Sequence, residues 1–181
     1  MKLAGVIIII VSILYLIIFS LQSNFINLKE NMKNYYKVFN GFKNSFAFLV
    51  FPFILGTGIS LVCQHDEEVL SQFIVFVSIV ISVLFSTSSI IVSKTYEQFD
   101  EKTKDKIKII INQTQSIIFF VVYISILSLI FLILNIVLMN YLTECIVLLV
   151  IINVINNSLL IMIALNILVI LKRLCVLIVV K

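Results

Sequence analysis

Residues 117–139 read IIFFVVYISILSLIFLILNIVLM, and the reading of this run decides the fold. It contains no charged residue, no glycine and no proline, and it far exceeds the ~4–8 residues of a buried strand. As an α-helix rising ~1.5 Å per residue it covers the ~30 Å hydrocarbon layer of a bilayer. Four further apolar segments lie at about residues 3–21, 46–63, 73–92 and 146–171, making five in all. The whole chain of 181 residues is 62% hydrophobic and 12% charged, against ~45–50% and ~25% in soluble domains. One proline and four glycines supply little turn chemistry for an all-β fold. The expected fold is therefore an all-α integral membrane protein, one domain over residues 1–181: a small bundle of about five transmembrane helices with little mass outside the bilayer.

Two long polar connections and two short ones separate the segments. Residues 22–45 carry Lys29, Lys33, Lys37 and Lys43 against Glu30, and residues 93–116 carry five lysines against four acids. The short turns at 65–68 and 140–144 carry no Lys or Arg, and the tail carries Lys172, Arg173 and Lys181. A five-span path with the N-terminus outside and the C-terminus cytoplasmic puts 12 of the 13 basic residues on the cytoplasmic side, which is the bias the positive-inside rule requires. In the four-span alternative the first segment is a cleaved signal peptide, but Ser20-Leu21-Gln22-Ser23 makes a poor cleavage site.

Leu28, Met32, Tyr35, Phe39 and Phe42 recur at steps of four and three, beside Lys29, Lys33 and Lys37 at steps of four. This pattern predicts a basic amphipathic helix lying in the inner headgroup layer, with membrane lipids or a cytosolic protein as its partner. In the second connection Tyr96, Phe99, Thr103, Ile107 and Ile110 keep helical spacing, next to Lys102, Lys104, Lys106 and Lys108. Helices continuing from the flanking spans would form a short cytoplasmic hairpin suited to a soluble partner, or a merely solvated pair.

Inside the spans the polar residues are small or neutral. Ser71, Ser78, Ser82, Ser86, Ser89 and Ser93 form a stripe that lets helix backbones approach closely, or that lines a watery path. Pro52, Gly56 and Ser60 are spaced four apart in FPFILGTGIS, residues 51–60. The expectation is that this face meets the serine stripe of the next span, with Pro52 kinking the helix. Asn153 and Asn157 lie one turn apart on a single face, with Asn156 between them and Asn166 further along; on the preceding span are Ser125, Ser128 and Asn135. Contacts between asparagines, within a subunit or across a homo-oligomer, are expected, with a polar conduit along an oligomer axis as the alternative.

No ionisable residue lies within the spans, which disfavours proton relays and ion-coupled transport. His65 in an acidic turn and the cysteines Cys63, Cys145 and Cys175 lack metal-ligand spacing. With no nucleophile-and-base pair and no phosphate-cradling loop, the expectation is no enzyme, no cofactor, no metal and no direct nucleic-acid binding. Three functions remain: a membrane sensor relaying an envelope disturbance to a cytosolic partner, an immunity protein against a pore-forming toxin, or an oligomeric channel or membrane-disrupting effector.

The order of apolar segments, the Lys-rich 22–45 connection, the charged 93–116 connection, the Lys172-Arg173 tail and the Ile/Asn/Lys-heavy usage together resemble the membrane subunit (KwaA-like) of the Kiwa anti-phage defence system. The resemblance is one of architecture and covers the whole chain, although that family is associated with four spans where five segments are counted here. It implies an inner-membrane oligomer that detects phage attachment or injection and works with a cytosolic DNA-binding partner (KwaB-like).

Overall fold

The computed structural model describes residues 11, 15, 33, 35, 38, 42–63, 66–93, 101–141 and 146–179. These form four continuous helices: α1 (Phe42–Val62), α2 (Glu67–Ser93), α3 (Glu101–Tyr141) and α4 (Ile146–Val179), with no strand among the described residues. Within them, Glu67–Ile91, Ile107–Asn140 and Ile146–Val176 are long and apolar enough to cross a membrane, and Phe46–Val62 is a shorter apolar helix. The described part is therefore an all-helical bundle with the long apolar helices of a membrane protein. Of the first apolar segment only Val11 and Tyr15 are described; both are helical and exposed.

Capping chemistry fixes where α2 begins. The Val69 amide donates to Asp66 Oδ1 at 2.9 Å and the Leu70 amide to the Asp66 carbonyl at 3.1 Å, so Asp66 is the N-cap. Glu67 and Glu68 fill the first turn, where carboxylates offset the positive end of the helix dipole. The short 63–66 connection brings the ends of α1 and α2 together. The two helices nevertheless share no extensive interface: α1 packs on α4, α4 on α3, and α3 on α2.

The seam of α2 explains its partner. Leu70, Val77, Leu84 and Ile91 are all buried and seven residues apart, with Val80 between two of them, a heptad-like stripe directed at α3. On α4 the consecutive residues Asn156, Asn157, Ser158 and Leu159 are all buried. Successive helical residues point ~100° apart, so a run of four buried positions means that α4 is enclosed on every side at this level. It shares the centre of the bundle with α3, which likewise packs on two helices.

Tyr35 joins the core from the segment preceding α1. It is 1% exposed, and its ring stacks on Phe120 of α3 with centroids 3.8 Å apart. The expectation of an amphipathic helix in the headgroup layer turns Tyr35 outward to the acyl boundary. The structure instead drives it between α3 and α4, while Lys33 stays exposed. Helical spacing could not say whether protein or lipid covers Tyr35.

Candidate functional site

The candidate site is the set of polar side chains around α4, neutral along most of its length and joined by Arg173 near one end. Asn135 Nδ2 on α3 donates to Asn153 Oδ1 at 2.6 Å, and Asn156 Nδ2 reaches the Phe131 carbonyl at 3.4 Å. At the other end of the same pair of helices, Arg173 Nη1 donates to Gln113 Oε1 at 2.8 Å. The partners ascend one helix as they descend the other, so α3 and α4 are antiparallel and these bonds set their register. Asn153 and Arg173 lie ~30 Å apart along the axis, about the thickness of the hydrocarbon layer. These two side-chain links therefore sit near opposite ends of the membrane-crossing part.

Between them the Tyr35 hydroxyl donates to Asn166 Oδ1 at 2.8 Å, and Asn166 Nδ2 donates to the Met162 carbonyl at 2.8 Å. Asn166 is fully buried, and this arrangement gives both ends of its amide a partner. It also holds Tyr35 about two turns inward of Arg173.

The opposite side of α4 faces α1. Asn157 Nδ2 donates to Ser60 Oγ at 2.8 Å, and the Ser60 hydroxyl in turn donates to the Gly56 carbonyl at 2.8 Å. Gly56 is buried directly against Ser158, whose own hydroxyl returns to the Val154 carbonyl at 2.6 Å. Pro52 is buried on this same face, within a helix that continues to Val62. The small-residue line of α1 thus seats against the small and amide residues of α4, not against the serines of α2.

Those serines face outward. Ser71, Ser78, Ser82, Ser86 and Ser89 are exposed, and each hydroxyl donates to the carbonyl four residues earlier, at 2.8 to 3.1 Å. Such back-bonding satisfies the hydroxyl inside its own helix. A serine in lipid therefore needs no second helix, and this is why the stripe did not identify a partner.

On α3 and α4 some buried polar atoms find no partner among the described residues: Ser125 Oγ, Ser128 Oγ, Asn135 Oδ1 and Asn156 Oδ1. By contrast Thr114 and Ser116 of α3 return to their own helix at 2.7 and 2.9 Å. The amides therefore specify register more than they add stability, since interhelical hydrogen bonds in membranes average ~0.6 kcal/mol. Asn135→Leu alone is expected to destabilise the bundle by ~1 kcal/mol, because it strips Asn153 of its donor. The double replacement Asn135→Leu with Asn153→Leu is expected to be close to neutral. A double-mutant cycle read by unfolding in mixed micelles measures the difference; two additive losses would remove the pair from the register.

Of the residues expected to meet a partner or lipid, Lys33 and Lys108 are exposed. Phe42, Lys102, Lys104 and Lys106 are described as helical positions only, and Lys29, Lys37, Phe39, Tyr96 and Phe99 lie outside the described residues. Cys63 and Cys175 are exposed free thiols. Tyr35, Gln113 and Ser158 are the functional-site residues that residue spacing did not single out for pairing, because their partners lie far away in sequence. No protein-family model, no curated protein and no solved structure matches this chain.

Proposed function

We propose that the protein is the membrane-embedded sensor or scaffold subunit of a two-component bacterial anti-phage defence complex in the inner membrane, relaying an envelope disturbance to a cytosolic DNA-binding effector (KwaB-like). The reading starts from the architectural resemblance, and one observation supports the relay. Helix α3 runs unbroken for 41 residues, from the charged Glu101–Lys106 turn into the apolar Ile107–Asn140 stretch. A helix without a hinge carries a tilt of its apolar part directly into the charged end that would meet a soluble partner. The Arg173–Gln113 bond ties α4 to α3 near that end, so the two move together.

Co-expression with the product of the adjacent gene tests the proposal. The two proteins are expected to co-purify from solubilised membranes and to lower phage plating only when both are present. Reversing charge at Lys102, Lys104, Lys106 and Lys108 should abolish co-purification while membrane insertion persists. Binding that survives the reversal sinks the relay. Protection against a pore-forming toxin by this chain alone would replace it with the immunity reading, and ion flux through the purified chain in liposomes would replace it with the channel reading.

A further inference from the structure

The flank of the bundle where α1 meets α4 carries a groove of about 380 Å³. Phe46, Val50, Phe51 and Ile54 of α1 and Leu165 of α4 line it, and almost no polar surface reaches it. Phe46, Phe51 and Ile54 are each about half or more exposed, so the groove opens sideways from the bundle instead of closing into a core. Both walls belong to apolar stretches, Phe46–Val62 and Ile146–Val176, so the opening faces hydrocarbon and not water.

One charged group shares this face. Lys172 lies seven residues beyond Leu165, two helical turns along the same side of α4, and it is exposed. The two positions are ~10 Å apart along the axis, a separation that a lysine stem narrows as its ammonium reaches for the interface. The neighbouring Arg173 is turned toward α3 and engaged with Gln113, so that of these two cations Lys172 is the one on the groove side, among the described side chains. Because α1 and α4 are antiparallel, the end of the groove at Phe46 is the end nearest Lys172.

We infer that this flank is a binding site for an anionic phospholipid of the surrounding bilayer, with an acyl chain in the groove and the phosphate headgroup on Lys172. An apolar trough alone accepts any lipid chain. Lys172 supplies the selection, since one lysine near a membrane surface is worth about fivefold in preference for negatively charged lipid. The inference rests on insertion in a bilayer and on nothing in the signalling proposal, so loss of partner binding after charge reversal leaves it untouched.

The chain contains no tryptophan, which makes a single introduced one an unambiguous reporter. The full chain carrying Phe51→Trp is reconstituted into vesicles with increasing fractions of phosphatidylglycerol or phosphatidylcholine brominated on the acyl chains. Phe85→Trp, on the exposed side of α2, serves as the comparison outside the groove. Quenching of Phe51→Trp is expected at about fivefold lower mole fraction of the brominated phosphatidylglycerol, with no such preference at Phe85→Trp. Adding Lys172→Gln should equalise the two lipids at Phe51→Trp. Equal quenching in the unmodified background means passing annular lipid and overturns the site. An unquenched Phe51→Trp beside a quenched Phe85→Trp means that a second copy or another segment of the chain fills the groove, and also overturns it. Phe46→Trp reads the same trough if Phe51→Trp does not insert.

Discussion

Gly56→Ala is expected to lower the stability of the bundle by ~1–3 kcal/mol, the range for forcing atoms into a packed interior. A β-carbon at this position would lie 2.7 Å from Ser158 N and 2.9 Å from Ser158 Cα, besides meeting the Ser158 hydroxyl. A side chain can rotate away, but a helix backbone cannot, so α1 and α4 must separate along the whole contact. One hydrogen bond and one packing contact then weaken together: Asn157 to Ser60, and the seating of Ser158 beneath Gly56. Gly58 provides the control, because a β-carbon there meets nothing within 4 Å. Gly58→Ala should be neutral or stabilising by up to ~1 kcal/mol through helix propensity. Unfolding of both variants in mixed micelles checks the contrast, and equal behaviour of the two would mean that α1 and α4 do not approach closely.

Tyr35→Ala is the second large effect, with an expected loss of ~3–5 kcal/mol, as for other buried aromatic truncations. The change removes a ring stacked on Phe120 and leaves Asn166 Oδ1 buried without a donor. Tyr35→Phe keeps the ring and loses only the hydroxyl, so it should cost ~1 kcal/mol. The ratio of the two losses separates packing from hydrogen bonding. If residue 35 instead lay in the headgroup layer, both replacements would be nearly silent in the same unfolding assay.

The sequence was most informative where the bilayer constrains it. Hydrocarbon demands long uncharged helices, and the runs at 73–92, 117–139 and 146–171 lie within the apolar helices of the structure. The packing face of α1 was also visible, in Gly56 and Ser60, whereas Asn153 and Asn157, read as one face of α4, turn to different neighbours: Asn153 to α3 and Asn157 to α1. What spacing could not supply was the pairing of faces. Ser78, Ser82, Ser86 and Ser89 satisfy their hydroxyls within α2, so their regularity carries no information about a neighbour. A short connection between α1 and α2 suggests that they pack side by side, yet the buried heptad of α2 fits α3 and the glycine of α1 fits Ser158 of α4. Tyr35 was hidden for a related reason: an apolar stripe with lysines beside it looks the same whether it rests on lipid or on other helices.

The polar links between α3 and α4 restrict how this pair can move. Sliding one helix past the other by a single turn, ~5.4 Å, would unmake Asn135–Asn153 and Gln113–Arg173 at once and strand their amides in hydrocarbon. A piston stroke is thus barred, while a common tilt breaks neither bond. Whatever force the bilayer applies to α3 and α4, they answer it as one lever, with Tyr35 wedged into its side.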